Sequence, residues 1–232
     1  MKRESTRPAG HVVVALDGPA GAGKSTAARM LARRLGYVLV DTGALYRGVA
    51  LAARERAVSW DAGAELGRLV DSLALSFERA ADGRSLLHID GRDRSGEIRT
   101  PQISDGASRV SRHAEVRRAL LGLQRRLGEQ GRVVLEGRDI GTVVFPDAEV
   151  KVFLTASDEA RAKRRHAELE AAGHQVAFAD VLADMRERDR RDSERDVAPL
   201  RPADDAVVLD TSDLPLEQVV EQLAALVRPE LR

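Results

Sequence analysis

Five short apolar runs recur along the chain, each dominated by Val and Leu, and the stretches between them carry apolar residues at helical spacing. The runs are Val12–Leu16, Tyr37–Val40, Val133–Leu135, Val150–Leu154 and Ala206–Leu209. Continuous apolarity over so few residues marks strands buried on both faces. After the first run, Ala28, Leu31 and Leu35 stand three and four apart, and Gly36 takes the place where a helix stops. A second helix is expected after Asp41-Thr42-Gly43, through about Arg56. A third, from Ser157 to Ala172, opens on a capping Ser157 followed by Asp158 and Glu159, and ends at Gly173. Further helices are expected from about Phe178 to Glu194 and from Pro215 to Val227, the last with Leu216, Val219, Leu223 and Leu226 turned inward. Strands alternating with helices predict an α/β fold, a doubly wound three-layer core with a parallel sheet in the middle.

That rhythm breaks between about Leu66 and Thr100. Leu73–Glu78 and Ser85–Asp90 alternate apolar and polar, and Asp82-Gly83 and Asp90-Gly91 are hairpin signals. A small antiparallel sheet inserted into the α/β pattern is the expectation. A long helical region follows, in which Val116, Leu120, Leu123 and Leu127 form an apolar stripe that reads as core. The hairpins and helices together are expected to form a mobile substrate flap. No internal repeat and no low-complexity segment is visible.

Composition removes several classes. Lys+Arg and Asp+Glu both number 37, so no excess charge points to nucleic acid or a membrane surface. The chain has no cysteine, hence no disulfide framework and no thiolate metal site. It has no asparagine either, so the guanine-reading N-K-x-D motif of GTPases is impossible. No apolar run approaches the ~20 residues of a membrane helix. The first ten residues are polar and unlike a secretory signal, and 1–11 reads as a disordered lead-in. A soluble cytoplasmic protein, monomeric by default, is the expectation. Only four basic residues are lysines, and the rest are arginines. Arginine suits phosphate because its planar fork donates two hydrogen bonds at once. A general compositional bias explains most of that count, so only particular positions are informative.

The strongest local signal lies between the first strand and the first helix. Gly18, Pro19, Ala20, Gly21, Ala22, Gly23, Lys24, Ser25 and Thr26 fit the phosphate-loop pattern G-x-x-x-x-G-K-[ST] in its required setting of strand, turn and helix. Glycines let consecutive N–H groups curl around a phosphate, and the helix N-terminus adds to their field. Lys24 reaches the terminal phosphates in such a loop, and the Ser25 hydroxyl joins the shell of Mg²⁺. The alternative is a glycine-rich turn with a solvated lysine, which the flanking strand and helix disfavour. The chain is expected to bind a nucleoside triphosphate.

Four further stretches bear on the phosphate acceptor. They are Asp41-Thr42-Gly43-x-x-Tyr46-Arg47; Ser95-Gly96-Glu97-Ile98-Arg99-Thr100, with Ser108 and Arg117 beyond it; Glu136-Gly137-Arg138-Asp139-Ile140-Gly141-Thr142; and Arg188-Asp189-x-x-Asp192-Ser193-x-Arg195, followed by Ala198-Pro199-Leu200. On a helix, Arg188, Arg191, Asp192 and Arg195 share one face. Spacing alone leaves that face open to a second reading as a solvated ladder, because Asp184 with Arg188 and Glu187 with Arg191 are i,i+4 pairs. Arg138-Asp139 reads equally as a salt bridge at a strand end, and Arg47 alone as a surface residue.

Taken together these stretches resemble the bacterial type of cytidylate kinase, a nucleoside monophosphate kinase acting on CMP and dCMP. The similarity runs from Val12 to about Leu226, with Gly137–Ala148 its most family-specific piece. The resemblance implies a three-layer P-loop NTPase fold: a five-stranded parallel sheet with helices on both faces, an inserted monophosphate-binding domain and a lid. The implied boundaries are core 12–65, insert 66–130, core 131–156, lid region 157–195 and core 196–232. It implies that Ser108, Arg117 and Asp139 read the cytosine edge, a serine and a carboxylate accepting from its amine and an arginine donating to its carbonyl. It further implies that Arg188 and Asp192 hold the ribose, that Arg47, Arg138 and Arg195 clamp the monophosphate, and that Thr42 lines that site. Arg164 would belong to the lid. Similarity is loose in the insert's hairpins and around His174.

The implied reaction is Mg²⁺-dependent transfer of the ATP γ-phosphoryl group to CMP or dCMP, a step of pyrimidine metabolism. Such transfer needs in-line positioning and charge neutralisation rather than covalent help. Lys24, Arg138, Arg164, Arg188 and Arg195 are the expected catalytic cations, with Glu136 ordering the metal's waters and no side chain required as general base. The rivals are a kinase of the same fold acting on UMP, AMP or a metabolite such as shikimate, and a nucleotide switch without transferase activity. Nucleic-acid binding through Arg161–Arg201 is disfavoured, because interleaved Asp and Glu nearly cancel its charge.

Overall fold

The computed structural model describes residues 11–80 and 85–227. In chain order it contains β1 (Val13–Asp17), α1 (Lys24–Leu35), β2 (Val38–Asp41), α2 (Thr42–Glu55), α3 (Gly63–Asp71), β3 (Leu75–Arg79), β4 (Ser85–Ile89), β5 (Arg92–Asp93), α4 (Pro101–Val110), α5 (Ala114–Gly128), β6 (Val133–Glu136), β7 (Val150–Thr155), α6 (Asp158–Ala171), α7 (Phe178–Glu194), β8 (Val207–Asp210) and α8 (Leu216–Leu226). Short helical turns span Glu97–Arg99 and Ile140–Val144.

All five expected core strands form, within a residue or two of the apolar runs, and they pair in parallel in the order β2-β6-β1-β7-β8. Alternate residues of β1 serve the two faces of this sheet. Val12, Val14 and Leu16 pack with Ala28 and Leu31 of α1 and Val219 and Leu223 of α8. Val13 and Ala15 pack with Ile140, Val144 and Phe145, and Leu121 and Leu127 of α5 cover the same face. The result is the three-layer arrangement that the alternating pattern predicts. The register sets Leu16 and Asp41 beside Glu136, and Asp17 beside Phe153. The strands therefore end along one edge, where an open α/β sheet presents its ligand site.

The second sheet, β3-β4-β5, is antiparallel. Its Asp90-Gly91 turn has φ of 51° and 78°, which matches the expected two-residue hairpin. The Asp82-Gly83 signal and the lead-in over 1–10 lie outside the described residues. Two features differ from the sequence reading. The long helical region is two helices, because the chain turns at Ser111–His113 between α4 and α5. Helix α3, unanticipated, crosses the expected 65/66 boundary as one unit. It shares an apolar cluster with α2, in which Leu45, Val49 and Leu51 meet Leu66, Leu87, Ile103 and Leu120. Helices α3, α4 and α5 and the antiparallel sheet are thus packed onto α2.

Helices α6 and α7 form a pair held by Ala162, Val181 and Met185, with Ala20 of the phosphate loop packed against them. Ser157 caps α6 by accepting from the Ala160 N–H at 3.2 Å, and Gly173 follows it at φ 82°. Helix α7 ends at Glu194, so Arg195 lies just past the helical face expected for it, in extended backbone. Among the described residues no helix is long and apolar enough to cross a membrane.

Candidate active site

A cavity of about 1210 Å³ opens at the carboxyl edge of the sheet, between α4 and α5 on one side and the α6–α7 pair on the other. Ala20 to Thr26 of the phosphate loop line one part of it. Thr42, Arg47, Ser108, Arg117, Glu136, Arg138, Asp139, Arg164, Arg188, Asp192 and Arg195 line the rest. Residues scattered along the chain from Ala20 to Arg195 thus converge on one space. Of the predicted loop residues, Gly18 and Pro19 do not line the cavity. Gly18 stands at φ 145°, and a Cβ there would sit 1.9 Å from the Leu154 carbonyl oxygen, so only glycine lets β1 turn against β7.

On the donor side, Gly23 caps α1 in the left-handed conformation, and Lys24 opens the helix. Lys24 is buried and its Nζ donates to the Pro19 carbonyl at 2.6 Å. Burial, joined by the charge of Arg138, pushes its ammonium well below the usual lysine range. The Ser25 hydroxyl donates to Glu136 Oε2 at 2.7 Å. Burial and the nearby Asp41 charge push the Glu136 carboxyl up to about 7. A hydroxyl beside the buried Glu136 carboxyl, with the half-buried Asp41 carboxyl near it, is a donor set that suits a hard divalent cation carried in with a triphosphate.

On the opposite side, Arg117 donates to Asp139 and, at 3.2 Å, to the Ser111 carbonyl, with its guanidinium 5.4 Å from the centre of the Tyr46 ring. Arg138 Nε pairs with Asp192 at 3.1 Å, and Arg47 pairs with Asp41, which also caps α2. Thr42 straps the start of α2 to β6 through the Glu136 carbonyl at 2.7 Å. Six polar atoms on cavity-lining residues are buried with no hydrogen-bond partner among the described residues: Tyr46 Oη, Arg47 Nε, Ser108 Oγ, Arg188 Nε, Arg191 Nε and Arg195 Nη2. Each such orphan costs about 1–3 kcal/mol, more when charged. Native proteins rarely tolerate them except where a ligand completes them.

Electrostatics agrees. Arg188 is pushed down to about 10 by burial and the charge of Arg138, and Arg195 is pushed down by burial and Arg117. Both shifts record cations short of counter-charge. Asp192 is the exception: burial would raise its pKa, but Arg138, Arg188 and Arg195 outweigh burial and hold it below the usual carboxylate range.

Of the two pairs that a solvated ladder on α7 requires, Glu187 and Arg191 approach to 3.9 Å, whereas Arg188 of the other pair lines the cavity. Arg190 pairs with Glu187 and Glu194 in solvent, whereas Arg188, Asp192 and Arg195 face the cavity and Arg191 reaches Asp105 of α4 at 2.9 Å. Ser95 to Thr100 contributes scaffolding: Ser95 accepts the Leu87 N–H, Glu97 pairs with Arg94, and Thr100 caps α4. Arg164 is anchored to the end of β8, donating to Thr211 Oγ1 at 3.1 Å, close to the phosphate loop.

Two residues were missed. Buried Arg161 donates to the carbonyls of Ala156 at 3.0 Å and Ala20 at 3.1 Å, to Asp158 at 2.6 Å and to Asp189, tying the loop to both α6 and α7. Asp17 accepts from the Ile140 and Gly141 N–H groups. No local spacing rule reveals either role, because the decisive partners, Ala20 for Arg161 and Ile140 with Gly141 for Asp17, are distant in sequence.

Two cationic sites facing one another across one cavity, the first of them a phosphate loop, suit a P-loop phosphotransferase. Known proteins narrow that class. The family model described as Cytidylate kinase matches residues 14–229. The cytidylate kinase of Syntrophotalea carbinolica is 50% identical over 216 residues, covering 93% of this chain and 92% of its own. That of Exiguobacterium sibiricum is 48% identical over 221 residues, covering 95% and 99%. The chain belongs to the cytidylate kinase family. Among solved structures, an uncharacterized protein from Eubacterium ventriosum aligns over 92% of this chain and 96% of its own, with 12% identity and a TM-score of 0.50, a likeness of fold alone.

Proposed function

We propose that this protein transfers the γ-phosphoryl group of ATP to CMP or dCMP, giving ADP and CDP or dCDP. The observation that carries the reading is the set of unpartnered buried donors on Arg47, Arg188 and Arg195 opposite the phosphate loop. They offer a second phosphate site, which a hydrolase or a switch does not need. Buried Ser108, Arg117 and Asp139 line the same cavity, and their chemistry suits cytosine. Ser108 and Asp139 accept from its amine and Arg117 donates to its carbonyl. Uracil presents a carbonyl where the amine stood, leaving a carboxylate against an acceptor.

In this reading the loop from Gly18 to Thr26 wraps the donor phosphates and Lys24 lies against the terminal ones. Arg47, Arg138 and Arg195 clamp the acceptor phosphate, and Arg188 and Asp192 hold the ribose. Arg164 closes over the donor side. Magnesium, held by Ser25 and through water by Glu136, would supply neutralisation of phosphate charge. The arginines keep donor and acceptor in line, and closure of the α6–α7 pair and the insert (residues 66–130 in the family pattern) keeps water from taking the phosphoryl group. The same reading makes the enzyme a cytoplasmic monomer. Calorimetric titration with CMP and UMP tests the acceptor assignment: tighter binding of CMP is expected, and equal binding contradicts it.

A further inference from the structure

Asp17 ends β1 one residue before the phosphate loop, yet it does not line the cavity. Its carboxylate points sideways into the turn that follows β6. Oδ1 accepts the Ile140 N–H at 2.8 Å and Oδ2 the Gly141 N–H at 2.7 Å. These are the first two residues of the helical turn Ile140–Val144, which has no side-chain cap from its own Asp139. Opening N–H groups of a helical turn have no partner within it. A carboxylate from another strand therefore supplies the cap, with both oxygens used on consecutive peptides. Charge-assisted bonds of this kind are short, and two from one planar group fix orientation as well as position.

The residues just before that turn are Arg138 and Asp139. We propose that Asp17 is a positioning residue for the acceptor: by fixing the peptides of Ile140 and Gly141 it aims Asp139 at Arg117 and Arg138 at Asp192, and so sets the preference for cytosine. The inference rests on the acceptor reading above. Three observations support it. Both oxygens of the one carboxylate are engaged, at 2.8 and 2.7 Å, and Gly141 packs against it, so that a Cβ there would stand in van der Waals contact with Asp17 Oδ2 at 3.5 Å. Asp17 is 5% exposed, where a carboxylate is expensive. Burial, joined by the nearby Asp139 charge, pushes its carboxyl up to about 6, and the two N–H groups and Lys24 oppose that rise. An acid held there against its own desolvation points to a task other than stability.

Asp17→Asn keeps the shape but sets an amide N–H against one of the two backbone N–H groups. It is expected to raise the KM for CMP about tenfold or more, with the KM for ATP unchanged and the CMP-over-UMP ratio of kcat/KM reduced. The calorimetric Kd for CMP is expected to weaken in step. Asp17→Glu, which keeps the charge but carries the carboxylate one methylene beyond the two N–H groups, is expected to move the same constants less, and it decides the matter if Asp17→Asn does not fold. A role in folding alone would lower the melting temperature and leave the CMP preference intact; that result overturns the inference. Equal loss of ATP and CMP binding overturns it too, placing Asp17 in the donor loop. A wild-type enzyme without CMP preference sinks the acceptor reading and this inference together, whereas a CMP-preferring wild type beside an unaltered Asp17→Asn sinks the inference alone.

Discussion

Arg117 of α5 and Asp139, in the turn after β6, form an ion pair whose side chains are only 8% and 6% exposed. The pair brings a donor and an acceptor side by side on the cavity wall, beside the unpartnered Ser108 hydroxyl. Asp139→Ala removes an acceptor for the cytosine amine and leaves Arg117 buried without its carboxylate. The CMP-over-UMP ratio of kcat/KM is expected to fall by about one to two orders of magnitude, with ATP binding much less affected. Steady-state kinetics with both acceptors measures this, and an unchanged preference removes Asp139 from the base-reading set.

Lys24 is a buried cation whose pKa is already depressed by burial, so the fold gains little from its charge. Lys24→Ala is expected to cut turnover by about a hundredfold or more while leaving the melting transition nearly in place. Retained turnover contradicts the donor assignment. A collapsed melting transition would instead make Lys24 a structural residue.

Asp192 carries the pH signature. Its pKa is held below the usual carboxylate value by Arg138, Arg188 and Arg195, against the effect of burial. A depressed carboxyl stabilises the fold above its unfolded value, and that contribution disappears as pH falls through the lower folded value. Asp192→Asn should therefore cost stability at pH 7, by about 3–5 kcal/mol because three arginines lose their counter-charge. The gap between wild type and variant should narrow below the ordinary value of 3.8. Urea midpoints at pH 7 and in acid measure it; a gap that widens in acid reverses the sign and refutes the argument.

Gly18 tests the loop's geometry separately from its chemistry. With φ at 145° and a Cβ 1.9 Å from the Leu154 oxygen, Gly18→Ala forces β1 and β7 apart. A loss of about 3–5 kcal/mol in denaturant stability, or failure to fold, is expected. A variant as stable as wild type would show that the strand end accommodates a side chain.

The legible parts of this chain are those whose physics is local. The five apolar runs predicted the sheet by their continuous apolarity. Only the inner strands β1 and β6 are buried on both faces; the edge strands β2 and β8 leave Val38, Val207 and Val208 exposed, against the expectation. The phosphate loop was legible because its glycines, lysine and serine act through their spacing. The acceptor side was legible only through the resemblance to a family. By spacing alone Arg188 and Asp192 look the same whether their face meets solvent or a cavity, and in α7 Arg190 does the one and Arg188 the other. Helix α3 escaped notice because its buried stripe, Leu66, Leu69 and Val70, is too short to establish a period. Asp17 and Arg161 escaped because their meaning lies in carbonyls and N–H groups more than a hundred residues away.

The central claim is that two phosphate sites in one cavity make this chain a phosphotransferase for cytosine nucleotides. The most direct measurement is ADP release from ATP and Mg²⁺ with CMP, dCMP, UMP, AMP or no acceptor, repeated with the metal chelated. Strong release with CMP and dCMP, little without acceptor and none without metal is the predicted result. Release favouring UMP or AMP would keep the fold and overturn the base-reading set. Hydrolysis indifferent to every acceptor would contradict the account at its centre, since the second arginine site would then have no phosphate to hold.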